Sequence, residues 1–236
     1  RAPIEASQVF ADAQTIQAAF KGGTGIGTDE DKLFKVLSSR SPQHLQEVRR
    51  VYQEHFGSSL DHDLVSELSG RDLNRAIALF SGDGVQAQVE ALKSATGGFF
   101  GTNSKEILSL LESTPPGAMK TIADRFGSQF GPLDQALSRS LSGPAKDQAL
   151  ALLKGNQAAA NAANLDGALN LHQKPADVLA RLSQLSPEAM GPVAAAYQER
   201  TGRPLSSDLG KRLKGTEKDM ALAMASGDTM DLKAAK

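Results

Sequence analysis

The chain has 236 residues, enough for one large domain or two small ones with a real core, and it is 40% hydrophobic and 22% charged. Aromatics make up 5% with no Trp, β-branched residues are scarce, and Ala, Leu, Gln and Ser are abundant, which predicts an all-α fold. Zero Cys excludes a disulfide scaffold, a thiol nucleophile and Cys-ligated metals, and a net charge of −1 argues against nucleic-acid binding through a basic surface. No uncharged apolar run approaches the roughly 18 residues of a membrane-spanning helix. No signal peptide is evident, and the chain opens on Arg1 rather than Met, which reads as an excised fragment.

In chain order, Ile4 to Phe20 is predicted helical, with Val9, Phe10, Ala13, Ile16 and Phe20 recurring at spacings near three and four. A glycine-rich loop follows, Gly22 to Gly27. Thr28 is then expected to cap a helix carrying Leu33, Phe34, Val36 and Leu37, with Asp29, Glu30 and Asp31 in the first turn, where the helix dipole favours acids. Pro42 suits the first position of a third helix, where a missing N–H costs nothing. Its apolar face is Leu45, Val48, Tyr52 and Phe56, and Gly57 ends it. A short fourth helix spans Leu60 to Leu68. A fifth lies within Gly70 to Phe80, with Leu73, Ile77 and Phe80 expected in the core.

The pattern then repeats. Pro42, Pro116 and Pro187 are 74 and 71 residues apart, as are Tyr52, Phe126 and Tyr197, and Gly57, Gly131 and Gly202. Gly70, Gly143 and Gly215, and then Gly82, Gly155 and Gly227, are spaced by 73 and 72. Leu45 aligns with Met119 and Met190, and Val48 with Ile122 and Val193. The expected organisation is three units of five short helices packed side by side: 1–82, 83–155 and 156–227. Residues 228–236 match the start of a fourth.

Gly25-Ile26-Gly27-Thr28-Asp29-Glu30 contains a G-x-G-T motif, and after a gap of 38 residues comes Glu67 within Ser66-Glu67-Leu68-Ser69-Gly70. Ser38-Ser39-Arg40-Ser41 and Leu60-Asp61-His62-Asp63-Leu64 accompany them. In these strings the chain resembles the annexin family, and the repeat pattern extends the resemblance over nearly the whole sequence. The resemblance implies calcium-dependent binding to anionic phospholipid membranes, and no motif in the sequence supports an enzyme. It implies a main Ca²⁺ site of the carbonyls of Gly23, Gly25 and Gly27 with the carboxylate of Glu67. A minor neighbouring site would use the Thr28 carbonyl and the Glu30 carboxylate, and Ile26 at the loop tip would touch the membrane. Ca²⁺ is a hard ion served by oxygens at flexible angles, and glycines let a short loop turn its carbonyls inward.

The loop departs from the family pattern in one respect. Phe20-Lys21-Gly22-Gly23-Thr24-Gly25 is two residues longer than the usual Met/Leu-Lys-Gly leading into x-Gly-Thr. Counting back from Thr28 makes Gly23 the first ligand, whereas matching Lys-Gly forwards gives Phe20. Gly23 is preferred because ligands must keep their spacing to the helix start. The competing reading is that the glycines make a tight connection and Glu67 is a solvated acid.

The other two units lack the site. Phe99-Phe100-Gly101-Thr102 keeps half the motif, but Asn103 and Ser104 replace the acids and Ser140 stands at the position of Glu67. In the third unit the loop is Asn170-Leu171-His172-Gln173-Lys174 and the matching position is Arg212, which repels a cation. Phe99 and Phe100 are either core residues or an aromatic tip that dips into a membrane. Other chemistry is thin. No G-x-G-x-x-G or Gly-Lys-Ser/Thr can be read in the glycine loop. Of His44, His55, His62 and His172, only His55 and His62 cluster with acids, at a spacing unlike a helical zinc pair. The runs of Ala158 to Ala163 read as packing material.

Anionic lipid surfaces are therefore the expected partner, with self-association or further repeats in a parent chain adding loops to the same surface. The expected location is cytoplasmic or peripheral to a membrane. The alternative class is a calcium-independent interaction or scaffold module of a larger, secreted or toxin-like protein, suggested by the loss of two sites out of three.

Overall fold

The computed structural model describes residues 6–22, 27–97, 103–171 and 173–226. Among them all regular structure is α-helical. The first five helices are α1 (Ala6–Phe20), α2 (Glu30–Ser39), α3 (Pro42–Phe56), α4 (Leu60–Glu67) and α5 (Gly70–Ser81). The next five are α6 (Gly84–Gly97), α7 (Ser104–Glu112), α8 (Pro116–Phe130), α9 (Leu133–Ser140) and α10 (Gly143–Leu153). The last five are α11 (Gln157–Asn170), α12 (Pro175–Ser183), α13 (Pro187–Thr201), α14 (Leu205–Arg212) and α15 (Gly215–Ala225). Helix lengths run 15, 10, 15, 8 and 12 residues, then 14, 9, 15, 8 and 11, and the same again. The further repeat expected to start at 228–236 lies outside the described residues.

Local signals set the helix ends. Ser41 caps α3 by accepting from the His44 N–H, with Pro42 in the first turn. Ser186 and Pro187 do the same for α13. Gly57 closes α3 at φ 73°, a left-handed backbone that a side chain resists. One boundary differs from expectation. The cap of α2 is Asp29, whose carboxylate accepts from the Lys32 N–H at 3.0 Å, and not Thr28. A carboxylate is the better partner for a helix N-terminus, which leaves the Thr28 side chain free to point elsewhere.

The contacts divide the chain into two compact units, Arg1–Gly98 with Thr121–Phe130, and Phe99–Lys120 with Gly131–Lys236. The first unit is built on one apolar cluster. Ile16 and Ala13 of α1, Leu33 and Leu37 of α2, Leu45, Val48 and Tyr52 of α3, Leu60 of α4 and Ala76 of α5 are all essentially inaccessible. Ile77, expected in this core, is instead 54% exposed. The inward face of α5 runs Leu73, Ala76 and Phe80, and α5 is clasped by α2, α3 and α4 and also by α6. Small alanines at 76 and 78 permit that close approach, and Ile77 falls between the two buried faces. In the second unit Leu165 and Leu169 of α11 meet Val178 and Leu182 of α12, Val193 and Tyr197 of α13, and Leu205 and Leu209 of α14. The alanines of α11 serve as packing material there, with Ala160, Ala162 and Ala163 buried.

Two polar anchors recur. The Tyr52 hydroxyl donates to Asp63 at 2.8 Å, and Tyr197, in the matching place, donates to Asp208 at 3.0 Å. The corresponding residues of the middle period are Phe126, fully buried, and Ala136, half-buried. Donor and acceptor have been exchanged together for apolar groups, which avoids an orphaned buried polar atom. Among the described residues no helix is long and apolar enough to cross a membrane.

Candidate metal site

The first loop is held at its base by a single carbonyl. α1 ends at Phe20, and the Ala19 oxygen accepts from the Gly22 N–H at 3.0 Å and from the Asp29 N–H at 2.8 Å. The chain therefore leaves and returns at one point. Gly23, Gly25 and Ile26 lie outside the described residues. Gly27 is exposed with φ 76°, and nothing lies within 4 Å of where a Cβ would stand. The glycine is needed there for its backbone angle and not for space.

The distant acid arrives by a different route. Glu67 is the last residue of α4, and Leu64 and Leu68 on either side of it are buried in the first unit's core. Their burial fixes the end of α4 and leaves Glu67 exposed. The Thr28 hydroxyl lies 3.4 Å from both the Glu67 carbonyl and a Glu67 carboxylate oxygen, and can donate weakly to either. Residues 39 apart in sequence thus meet at the rim of the loop. Glu30 is exposed in the first turn of α2. Asp29 is committed to its capping bond and to an ion pair with Lys32 at 3.5 Å. Among the described residues no three His, Asp or Glu side chains gather as a metal cage. A hard cation here would have to draw chiefly on carbonyl oxygens with one carboxylate, and an exposed Glu67 beside a glycine loop supplies that donor set.

The same structural address carries other chemistry in the later helices. Ser140 ends α9 and Arg212 ends α14, as Glu67 ends α4. Asn103 caps α7 as Asp29 caps α2, accepting from the Glu106 N–H at 3.1 Å. Phe99 and Phe100 lie outside the described residues.

The polar cluster that sequence reading overlooked is centred on Asp12, which is 3% exposed. Its carboxylate accepts from Arg40 Nε at 2.6 Å and Nη2 at 3.0 Å, faces His44 Nε2 at 2.7 Å, and accepts from Gln8 at 2.9 Å. Burial works to raise the Asp12 carboxyl, but hydrogen bonds from Arg40, Gln8 and His44 outweigh it and hold it below the usual carboxylate value. Among the described histidines, His44 is the buried one. His55 packs on the Phe10 ring at 4.6 Å, and His62 is exposed beside Asp63. Asp12 carried no motif and sits mid-helix. Its only sequence signal was its place on the apolar face of α1, next to Ala13 and Ile16.

The chain is similar in sequence to known proteins. Residues 11–77 match the family model described as Annexin. Annexin A5 of Gallus gallus is 30% identical over 178 residues, covering 74% of this chain and 52% of its own length. Annexin A4 of Homo sapiens is 35% identical over 120 residues, covering 51% of this chain and 36% of its own. Annexin A6 of Rattus norvegicus is 32% identical over 148 residues, or 62% of this chain and 21% of its own. Among solved structures, annexin III overlaps 92% of this chain and 70% of its own, with 25% identity and a TM-score of 0.38. Among the described residues this is an all-helical protein in which Thr28, following the glycine loop, meets a distant acid. The chain belongs to the annexin family, and it spans about half or less of the length of these curated relatives.

Proposed function

We propose that the chain binds anionic phospholipid surfaces in a calcium-dependent way through the loop between α1 and α2, and that its role is binding and not catalysis. The observation that carries this reading is the approach of Thr28 to Glu67 across 39 residues at the mouth of that loop. Carbonyls of Gly23, Gly25 and Gly27 and the carboxylate of Glu67 make the main Ca²⁺ site, and the Thr28 carbonyl with Glu30 makes the minor one. When bound, the ion supplies a positive charge with coordination positions open to a lipid phosphate. Glu67 supplies the negative charge on the protein side, and the Thr28 hydroxyl biases the direction of its carboxylate. Gly27 holds a left-handed turn at the end of the loop, and Ile26 is the loop-tip contact with acyl chains. The end-of-helix positions held by Ser140 and Arg212 offer no equivalent carboxylate, so one locus per chain is expected. The protein would then sit peripherally on a membrane, and self-association or further repeats in a parent chain would strengthen attachment by multivalency.

The test is vesicle co-sedimentation with phosphatidylserine-containing liposomes across a calcium series, comparing the wild type with Glu67→Gln. A single open site should be weak, with half-saturation on the order of 10⁻⁴ to 10⁻³ M calcium. The variant should lose calcium-dependent sedimentation. Undiminished calcium-dependent binding by Glu67→Gln would refute the assignment, and equal binding by both proteins in chelator would favour a calcium-independent scaffold.

A further inference from the structure

A cavity of about 740 Å³ lies wholly within the second unit among α7, α10, α11 and α12. That is within the range of small-molecule sites. We propose that it is a calcium-independent site for a phosphate ester, with Arg181 and Lys105 as its cationic contacts.

Arg181 is the central observation. Its two Nη groups donate to neutral amide oxygens, Asn164 Oδ1 and Gln173 Oε1, the latter at 3.0 Å. Its Nε–H is buried without a partner. A half-buried guanidinium met by amides instead of a carboxylate keeps its full charge to offer, and its donor fork suits phosphate or carboxylate. Lys105 lines the same cavity from the exposed start of α7 and adds a second cation. The cavity's one acidic residue, Glu112, already accepts from Gln148 at 2.6 Å. A ligand anion is thus favoured on the Lys105 and Arg181 side.

The donors also arrive from several directions. The Ser109 and Ser142 hydroxyls line the cavity, and Ser142 is the cap residue of α10 without a side-chain capping bond. Four oxygens arranged tetrahedrally can answer a guanidinium, an ammonium and two hydroxyls set around them, whereas a flat carboxylate answers fewer. The remaining lining is largely apolar. Leu171, 70% exposed at the end of α11, and Leu108 supply a greasy lip for an organic body attached to the phosphate.

The position reinforces the chemistry. Leu171 and Gln173 belong to the loop between α11 and α12, the counterpart of the loop between α1 and α2. Lys105 follows the corresponding loop of the middle period, and Ser142 and Gly143 stand just after the counterpart of Glu67. Described residues next to the positions that lost the G-x-G-T and its acid therefore line a cavity with two cationic side chains, Lys105 and Arg181. Fixed positive side chains do there what a bound cation would do at the first loop. This inference does not rest on the calcium reading.

The test uses the full chain in chelator with two probes: inorganic phosphate by equilibrium dialysis, and flotation with phosphatidylcholine vesicles doped with phosphatidic acid. Arg181→Gln, Lys105→Gln and Glu67→Gln are compared with the wild type. Binding of either probe is expected, weakened about tenfold or more by loss of a charged donor in Arg181→Gln and Lys105→Gln and unchanged in Glu67→Gln. Retention of vesicles but not phosphate identifies a lipid headgroup as the source, and the reverse a soluble phosphate. Lys105 is exposed, so Lys105→Gln decides the matter should Arg181→Gln fail to fold. No binding of either probe by the wild type, or undiminished binding by folded Arg181→Gln and Lys105→Gln, overturns the proposal. Because calcium is absent throughout, such a failure leaves the Glu67 site untouched.

Discussion

Asp12→Asn is the substitution on which the first unit's packing can be judged most sharply. The carboxylate joins three helices: α1 through its own backbone, the end of α2 through Arg40, and the first turn of α3 through His44. These are the helices flanking the candidate metal loop. Removing one partner of a buried ion pair costs about 3–5 kcal/mol, because the other charge is stranded. Here the Arg40 side chain is 30% exposed, so its guanidinium can recover water and the figure falls to about 2–4 kcal/mol. At a urea dependence of about 2 kcal/mol per M, the unfolding midpoint should drop by roughly 1–2 M.

The sign with pH follows from the lowered carboxyl. A carboxylate held below its unfolded value of about 3.9 contributes stability above that pH and loses it as pH falls through the folded value. The gap between wild type and Asp12→Asn should therefore be full at neutral pH and close as pH drops below about 4. Urea unfolding followed by far-ultraviolet circular dichroism at a series of pH values measures both. A neutral-pH difference under about 0.5 kcal/mol, or a gap that persists unchanged into strong acid, would refute the reasoning.

Three further outcomes follow from the same structure. Tyr52→Phe and Tyr197→Phe should each cost about 1–2 kcal/mol in denaturant unfolding, since each removes one hydrogen bond to a carboxylate that keeps other donors, Ser58 for Asp63 and Arg203 for Asp208. Leu45→Ala should cost about 2–5 kcal/mol, whereas Ile77→Gln should stay within about 0.5 kcal/mol, and a reversed order would mean that α5 is turned about its axis. Chelator should leave the helical dichroism intact and lower the melting temperature by linkage alone, about 2.7 kcal/mol at a hundredfold excess of calcium over Kd. Loss of helix on chelation would show the metal to be structural.

Much of the fold was legible in the sequence because the signals that set it are local. Ser41-Pro42 and Gly57 mark the ends of α3, Ser186-Pro187 and Gly202 those of α13, and each acts through its own backbone within a turn. The recurrence of these marks at near-constant spacing announced fifteen helices in three periods. The candidate site was legible in part, since G-x-G-T and Glu67 form a recognisable pair. Their meeting was not, because it depends on Leu64 and Leu68 burying the end of α4 beside the base of the loop. The errors have the same origin. Ile77 was assigned to the core by periodicity weighted towards large side chains, but α5 is gripped on two sides and its close contacts are made by alanines. His44 drew no notice because Asp12, its partner, lies 32 positions away in sequence, and only the packing of α1 on α3 buries them together. Arg181 drew no notice for a like reason. A charged residue on a short helix reads as solvated, and only the convergence of α7, α10 and α11 around it encloses the guanidinium and leaves its Nε–H without water. Hydrophobic period and capping are properties of a segment, so the sequence carries them openly. Burial of a charge is a property of what surrounds it, and that is decided only when distant helices pack.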